Sequence, residues 1–129
     1  MPPRRILVVD DDPEFLQELK ETLCLSGYEV DAIDKSVNAV DSAIDLKPDL
    51  ILLDLRMDGL TGFEVLKELR DLPQTSRIPI IVMSGHFNET QDCTLFDFFH
   101  IRDCLQKPFN PLDVISHIEK SFRDMDSSF

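Results

Sequence analysis

The sequence is short of basic residues and of cysteine, and it has no long apolar run. Lysine and arginine number 13 against 25 aspartates and glutamates, giving a formal charge of -12. That excess repels both a nucleic-acid backbone and an anionic membrane surface, so the expected partner is a protein, with no direct nucleic-acid or membrane contact. The three cysteines, Cys24, Cys93 and Cys104, are an odd set without C-x-x-C pairing, and two lie inside apolar stretches. They read as reduced thiols in a cytosolic protein. No stretch approaches the roughly 18 apolar residues of a membrane span. Met1-Pro-Pro-Arg-Arg runs straight into the short apolar run Ile6 to Val9, which is too brief for a signal peptide. The expectation is a soluble, cytoplasmic protein. No linker or low-complexity segment interrupts the chain, and 129 residues suffice for one core but not two. A single domain over 1–129 is expected, with its core at about 4–124 and a frayed tail from Asp124 to Phe129.

What is present is an alternation. Apolar segments at Ile6 to Val9, Tyr28 to Ile33, Leu50 to Leu53 and Ile80 to Met83 are separated by stretches with apolar residues at helical intervals. Those intervals are Phe15, Leu19 and Leu23, then Val37, Val40 and Ile44, then Phe63, Leu66 and Leu69. A weaker fifth strand fits Asp103 to Gln106, before a last helix carrying Val114, Ile115, Ile118 and Phe122. The pattern predicts βαβ units on a five-stranded parallel sheet, doubly wound with five helices. The first, third and fourth segments are apolar on both faces, as central strands require, whereas Tyr28-Glu-Val-Asp-Ala alternates and belongs at an edge. Local signals agree: Asp12-Pro13 and Asn110-Pro111 are cap-plus-proline starts, Thr61-Gly-Phe-Glu64 has capping-box spacing, and Gly27 and Pro48 mark helix stops.

In such a sheet the ligand site lies at the carboxyl ends of the central strands. The residues there are Asp10, Asp11 and Asp12 after the first segment, Asp54 after the third, Ser84-Gly85 after the fourth, and Lys107-Pro108-Phe109 after the fifth. Each alone has a plain structural reading, as a helix cap, a turn residue or a solvated lysine. Together they bring carboxylates, a hydroxyl and an ammonium to one place. Clustered carboxylates repel one another unless a cation sits among them, and an all-oxygen set suits Mg²⁺. A metal, the Lys107 ammonium and the Ser84 hydroxyl would neutralise a transferring phosphoryl group, leaving Asp54 as the natural nucleophile.

These segments resemble the response-regulator receiver family over essentially the whole chain. Ile6-Leu-Val-Val-Asp-Asp-Asp-Pro-Glu-Phe-Leu is similar to the family's opening strand and acidic pair. The run from Asp49 to Leu66 is similar to its phosphoacceptor segment, Ile80-Ile-Val-Met-Ser-Gly to its hydroxyl segment, and Lys107-Pro-Phe to its lysine segment. The resemblance implies the flavodoxin-like strand order 2-1-3-4-5 and a two-component phosphorelay switch, not an enzyme acting on others. It implies phosphorylation of Asp54 by a phosphohistidine of a sensor histidine kinase or histidine phosphotransfer protein. It further implies Mg²⁺ held by Asp10 (through water), Asp11, Asp54 and the backbone carbonyl of Arg56, with Ser84 and Lys107 on phosphoryl oxygens and a cis Lys107-Pro108 bond. The output partner is unknown, with a homodimer through the fourth helix and fifth strand as one form.

The chain departs from the family at Asp58, where proline is usual, and over residues 94–104. There His100-Ile101 replaces a glycine-alanine turn and Cys104 replaces an aromatic switch residue, while Phe96, Phe98 and Phe99 read either as a core-anchored helix face and turn or as an apolar docking patch. Three rival readings each make a specific demand on the sequence. A haloacid-dehalogenase-type phosphatase needs an aspartate at position 56, which is arginine. A flavin module needs a Gly/Ser/Thr-rich loop after the first strand, which is missing. A non-phosphorylated pseudo-receiver acting as a scaffold has no need of the clustered carboxylates.

Overall fold

The computed structural model describes residues 3–55, 61–85, 97–107 and 109–126. Strands β1 (Arg5–Val9), β2 (Glu29–Ile33), β3 (Leu50–Asp54), β4 (Ile80–Ser84) and β5 (Asp103–Gln106) form one sheet in the order β2-β1-β3-β4-β5, and all four pairings are parallel. Helices α1 (Pro13–Leu25), α2 (Ala39–Leu46), α3 (Gly62–Asp71) and α5 (Pro111–Asp126) connect or follow the strands, and residues 97–99 are helical and carry the label α4. Strands β3 and β4 are buried at every position, while β2 alternates at the sheet edge, as its sequence pattern requires.

Because side chains alternate across a strand, each central strand feeds two cores. Ile6, Val8, Leu50, Leu52, Ile81 and Met83 face α1 and α5, joining Leu19, Leu23, Ile118 and Phe122. Leu7, Val9, Ile51, Leu53 and Val82 face the other side with Val40, Val65, Leu66 and Leu69. The sheet is thereby pinned from both sides, and its carboxyl edge becomes a rigid platform.

The helix starts are as the sequence predicts. The Asp12 carboxylate accepts from the Glu14 and Phe15 amides, and Thr61 and Glu64 form a reciprocal capping box. Asn110 accepts from the Leu112 amide at 3.0 Å at the start of α5. Two expectations need correction. Val37 is not on a helix face: residues Ser36–Asn38 form a 3-10 turn, whose tighter winding rotates Val37 outward to 59% exposure. Nor does the chain fray at Asp124: α5 runs to Asp126, whose carboxylate takes both oxygens' worth of hydrogen bonds from Arg4 at 2.7 and 2.8 Å. Among the described residues, Cys24 is a free thiol, and no helix is long and apolar enough to cross a membrane.

Candidate functional site

The parallel registers place the candidate residues side by side. Val9 stands opposite both Ile33 and Leu53, so the chain leaves β1 at Asp10 just where β3 ends at Asp54. The Asp10 amide still donates to Ile33 O at 3.1 Å, which fixes the exit direction. On the other flank, Asp54 pairs with Met83 and Ser84 with Gln106, and the Lys107 amide donates to Ser84 O at 2.7 Å. This extension of the ladder holds the backbones of Ser84 and Lys107 together.

Three carboxylates converge. Oxygens of Asp10, Asp11 and Asp54 lie within 4.8 Å of one another. Asp10 is fully buried and Asp54 is 4% exposed, whereas Asp11 faces solvent. Burial of charge at this density requires donors. Asp10 has them: Oδ1 accepts from the Asp12 amide at 3.0 Å, and Oδ2 from Lys107 Nζ at 2.5 Å. Lys107 Nζ also lies 3.3 Å from Asp54 Oδ2. Burial pulls the Lys107 pKa down, but the hydrogen bond and charge of Asp10, joined by Asp54, outweigh it and hold the group above its ordinary value. The ammonium also sits 4.7 Å from the centre of the Phe15 ring, which itself packs edge-on against Phe109.

Among the described residues, three carboxylates against one ammonium leave two negative charges, the complement of one divalent cation. The donors are all oxygen, two of the three carboxylates are buried, and the third opens to solvent. That set fits a hard ion that keeps part of its water shell, as Mg²⁺ does.

A doubly wound α/β fold with an acidic pocket and a lysine at the carboxyl ends of its strands has the architecture of a receiver domain. The comparisons carry this to the family. The response regulator receiver domain family matches residues 6–119, and this chain belongs to it as the receiver domain of a two-component response regulator. The DNA-binding response regulator MtrA of Mycolicibacterium smegmatis is 32% identical over 93% of this chain and 51% of its own length. The CpxR homolog of Haemophilus influenzae, a transcriptional regulatory protein, is 33% identical over 92% of this chain and 50% of its own. The chain therefore spans about half the length of the curated relatives it matches. Among solved structures, the chemotaxis protein CheY4 of Vibrio cholerae superposes with a TM-score of 0.85 at 27% identity, over 92% of this chain and 98% of that one.

Of the residues expected at the site, Asp10, Asp11, Asp54 and Lys107 come together, and Ser84 is buried at the adjoining strand end. Arg56, Asp58 and Pro108, hence the cis bond expected at Lys107-Pro108, lie outside the described residues. Two contributors escaped the sequence reading. Phe15 keeps helical spacing with Leu19 and Leu23, yet it is also the platform under Lys107. Gly62 is the other: a Cβ there would collide with Leu55 Cα and the Asp54 carbonyl, so only glycine lets α3 pack onto the end of β3. A glycine just after a cap residue and near a strand end was the available signal.

Proposed function

We propose that this chain is the phosphoacceptor receiver of a two-component phosphorelay, taking a phosphoryl group from a phosphohistidine onto Asp54. The observation that carries the reading is the Asp54 carboxylate, nearly buried beside Asp10 and within hydrogen-bond reach of Lys107. In the transfer, an Asp54 oxygen attacks phosphorus, the P–N bond to the donor imidazole breaks, and its electron pair leaves with the imidazole nitrogen. Lys107 and the Ser84 hydroxyl would take phosphoryl oxygens as charge moves onto them. Asp10, Asp11, Asp54 and the Arg56 carbonyl would hold Mg²⁺, which when bound supplies neutralising charge for those oxygens. The same site would govern loss of the phosphoryl group, making the chain a switch and not an enzyme acting on a separate substrate.

The donor would be a sensor histidine kinase or histidine phosphotransfer protein, and the whole chain would act as one receiver unit in the cytoplasm. MtrA is named as DNA-binding, and this chain spans about half of it. We carry no nucleic-acid contact over to this chain, whose charge of -12 opposes a phosphate backbone. The output would be a protein contact, a second copy of the chain being one form. A pseudo-receiver scaffold would gain nothing from two buried carboxylates under one lysine. Incubation with acetyl phosphate and Mg²⁺, followed by mass spectrometry, tests the proposal: one phosphoryl group on Asp54 is expected, and none in Asp54→Asn. Absence of the adduct in the parent, or its persistence in the variant, would overturn it.

A further inference from the structure

At the end of the sheet opposite Asp54, where β4 and β5 begin, lies an open cleft of about 700 Å³ lined by Arg70, Ser76, Arg77, Asp97, His100 and Arg102 among others. The Arg102 amide donates to Ile80 O at 2.8 Å, which ties the cleft floor to the sheet. A smaller hollow of about 380 Å³ shares Arg70, Ser76 and His100 and adds Lys67, Asp71 and Phe98. Among the described residues that line the two, Lys67, Arg70, Arg77 and Arg102 stand against Asp71 and Asp97. Basic side chains thus outnumber acidic ones two to one, the reverse of the 13 to 25 ratio of the chain.

The ion pairs sharpen this contrast. Among the described residues, Arg4, Arg5 and Lys107 are each paired with carboxylates, and no salt bridge involves Arg70, Arg77 or Arg102. The Arg70 guanidinium is fixed by backbone carbonyls, with Phe99 O at 2.7 Å, Ile78 O at 2.8 Å and Ser76 O at 3.1 Å. Its charge is half-buried without a counter-ion there, and burial lowers its pKa. His100 adopts φ 54°, a left-handed conformation in which glycine is at ease, so an imidazole is kept on the cleft wall at some conformational cost. Phe98, at the rim of the hollow, is 75% exposed.

We propose that this cleft binds a short acidic segment of a partner protein, its carboxylates against Arg77 and Arg102 and an apolar side chain against Phe98. The volume is in the range of cavities that hold drug-sized ligands, enough for a few residues. A nucleic acid fits less well, because its charges continue past the cleft onto a surface that is otherwise strongly acidic. A small anion would want converging, buried donors, whereas Arg77 and Arg102 are exposed side chains on a wide opening. The inference is independent of the phosphoacceptor reading, since the cleft lies a strand's length from Asp54.

The test is fluorescence anisotropy with a short dye-labelled peptide alternating glutamate and leucine, alongside its glutamine counterpart and a single-stranded oligonucleotide. Two-dimensional amide NMR of the full chain would locate the contact. Saturable binding of the acidic peptide is expected, with shifts at Arg77, His100 and Arg102. Binding should weaken on the order of tenfold in Arg77→Glu/Arg102→Glu and also in Phe98→Ala, with circular dichroism unchanged in both. No saturable binding, shifts elsewhere, equal affinity for the glutamine peptide, or an undiminished affinity in the double arginine variant would each overturn the proposal. Preference for the oligonucleotide, lost with the same arginines, would assign the cleft to nucleic acid and overturn it too.

Discussion

Among the described residues, Lys107 is the cation that touches both buried carboxylates, so Lys107→Met isolates what it contributes. The methionine keeps an unbranched stem of similar length against the Phe15 ring and removes only the charge and its donors. Asp10 loses the partner at 2.5 Å and Asp54 the one at 3.3 Å, while the two residues are 0% and 4% exposed. Removing one partner of a buried pair costs about 3–5 kcal/mol. The Lys107 side chain is 25% exposed and Asp11 opens to solvent, so water relieves part of the penalty. The expected loss without metal is about 2–3 kcal/mol, roughly 8–15 °C in Tm for a domain of this size.

Urea denaturation in chelator measures the loss directly, and the same titration in millimolar Mg²⁺ supplies the control. Without the ammonium the site gains one unit of negative charge, so the variant should bind Mg²⁺ more tightly than the parent and recover part of the lost stability. Asp10→Asn added to Lys107→Met should recover stability without metal. In the parent, the raised Lys107 pKa means this contribution is complete below the ordinary lysine pKa, about 10.4, and disappears as pH rises through the higher folded value. A Lys107→Met protein within about 0.5 kcal/mol of the parent in chelator would refute the reasoning, because carboxylates that need no cation would not be a metal-binding or phosphoryl-binding cluster.

Further outcomes follow from single contacts. Gly62→Ala should cost about 1–3 kcal/mol by urea midpoint and slow phosphorylation, since the added methyl group must displace the backbone at Asp54; an unchanged rate and stability would contradict the close approach. Arg70→Met should cost about 2–4 kcal/mol and Arg70→Lys should rescue little of it, because an ammonium cannot reproduce a planar fork spread over several carbonyls; full rescue by lysine would disprove the clamp. Tyr28 is the only tyrosine in a chain without tryptophan, so near-ultraviolet absorbance reports its ionisation alone. Burial, with Glu119 adding to it and Arg4 opposing, raises its pKa, so the titration should lie above the ordinary tyrosine value. The folded state then holds the phenolic proton more tightly. Its contribution to stability is intact below pH about 10 and is lost above the folded pKa, a loss that Tyr28→Phe should remove.

Much of this was legible in the sequence because the physics was local. Segments such as Leu50 to Leu53 and Ile80 to Met83 have no polar face to expose, so they can only be central strands, and the residues at their carboxyl ends must then be neighbours. Asp12-Pro13 and Thr61 to Glu64 cap helices through contacts within one turn. What was hidden depends on tertiary neighbours. Val37 kept helical spacing with Val40 and Ile44 but fell in a 3-10 turn. Asp124 to Asp126 looked like a tail because its anchor, Arg4, is at the other end of the chain. The stop of α2 was legible, by contrast: Lys47 closes it in a left-handed conformation at φ 49°, just before Pro48, which disfavours a helical residue ahead of it. Arg70 gave no signal at all, since its acceptors are main-chain carbonyls that any sequence would supply.

The same distinction bears on how the switch would reach its surface. By resemblance, an aromatic ring on β5 normally moves when the hydroxyl residue does, and here that position is Cys104, partly buried against the core on the α2 and α3 side. Phe99 packs against that same core from α4, with Phe98 edge-on to it at 4.9 Å and exposed beyond. The aromatic bulk on this flank is therefore carried by α4. Arg70 holds the end of α4 through Phe99 O and His100 O, so a shift of α4 must rearrange the guanidinium contacts as well as the rings. A thiol offers too little differential contact energy to bias a partner, whereas a displaced ring pair offers a surface that exists in one state and not the other. Phosphorylation-dependent association should accordingly survive Cys104→Ala and be lost in Phe99→Ala that still accepts phosphate. The opposite pattern, read by light scattering, would return the switch to β5.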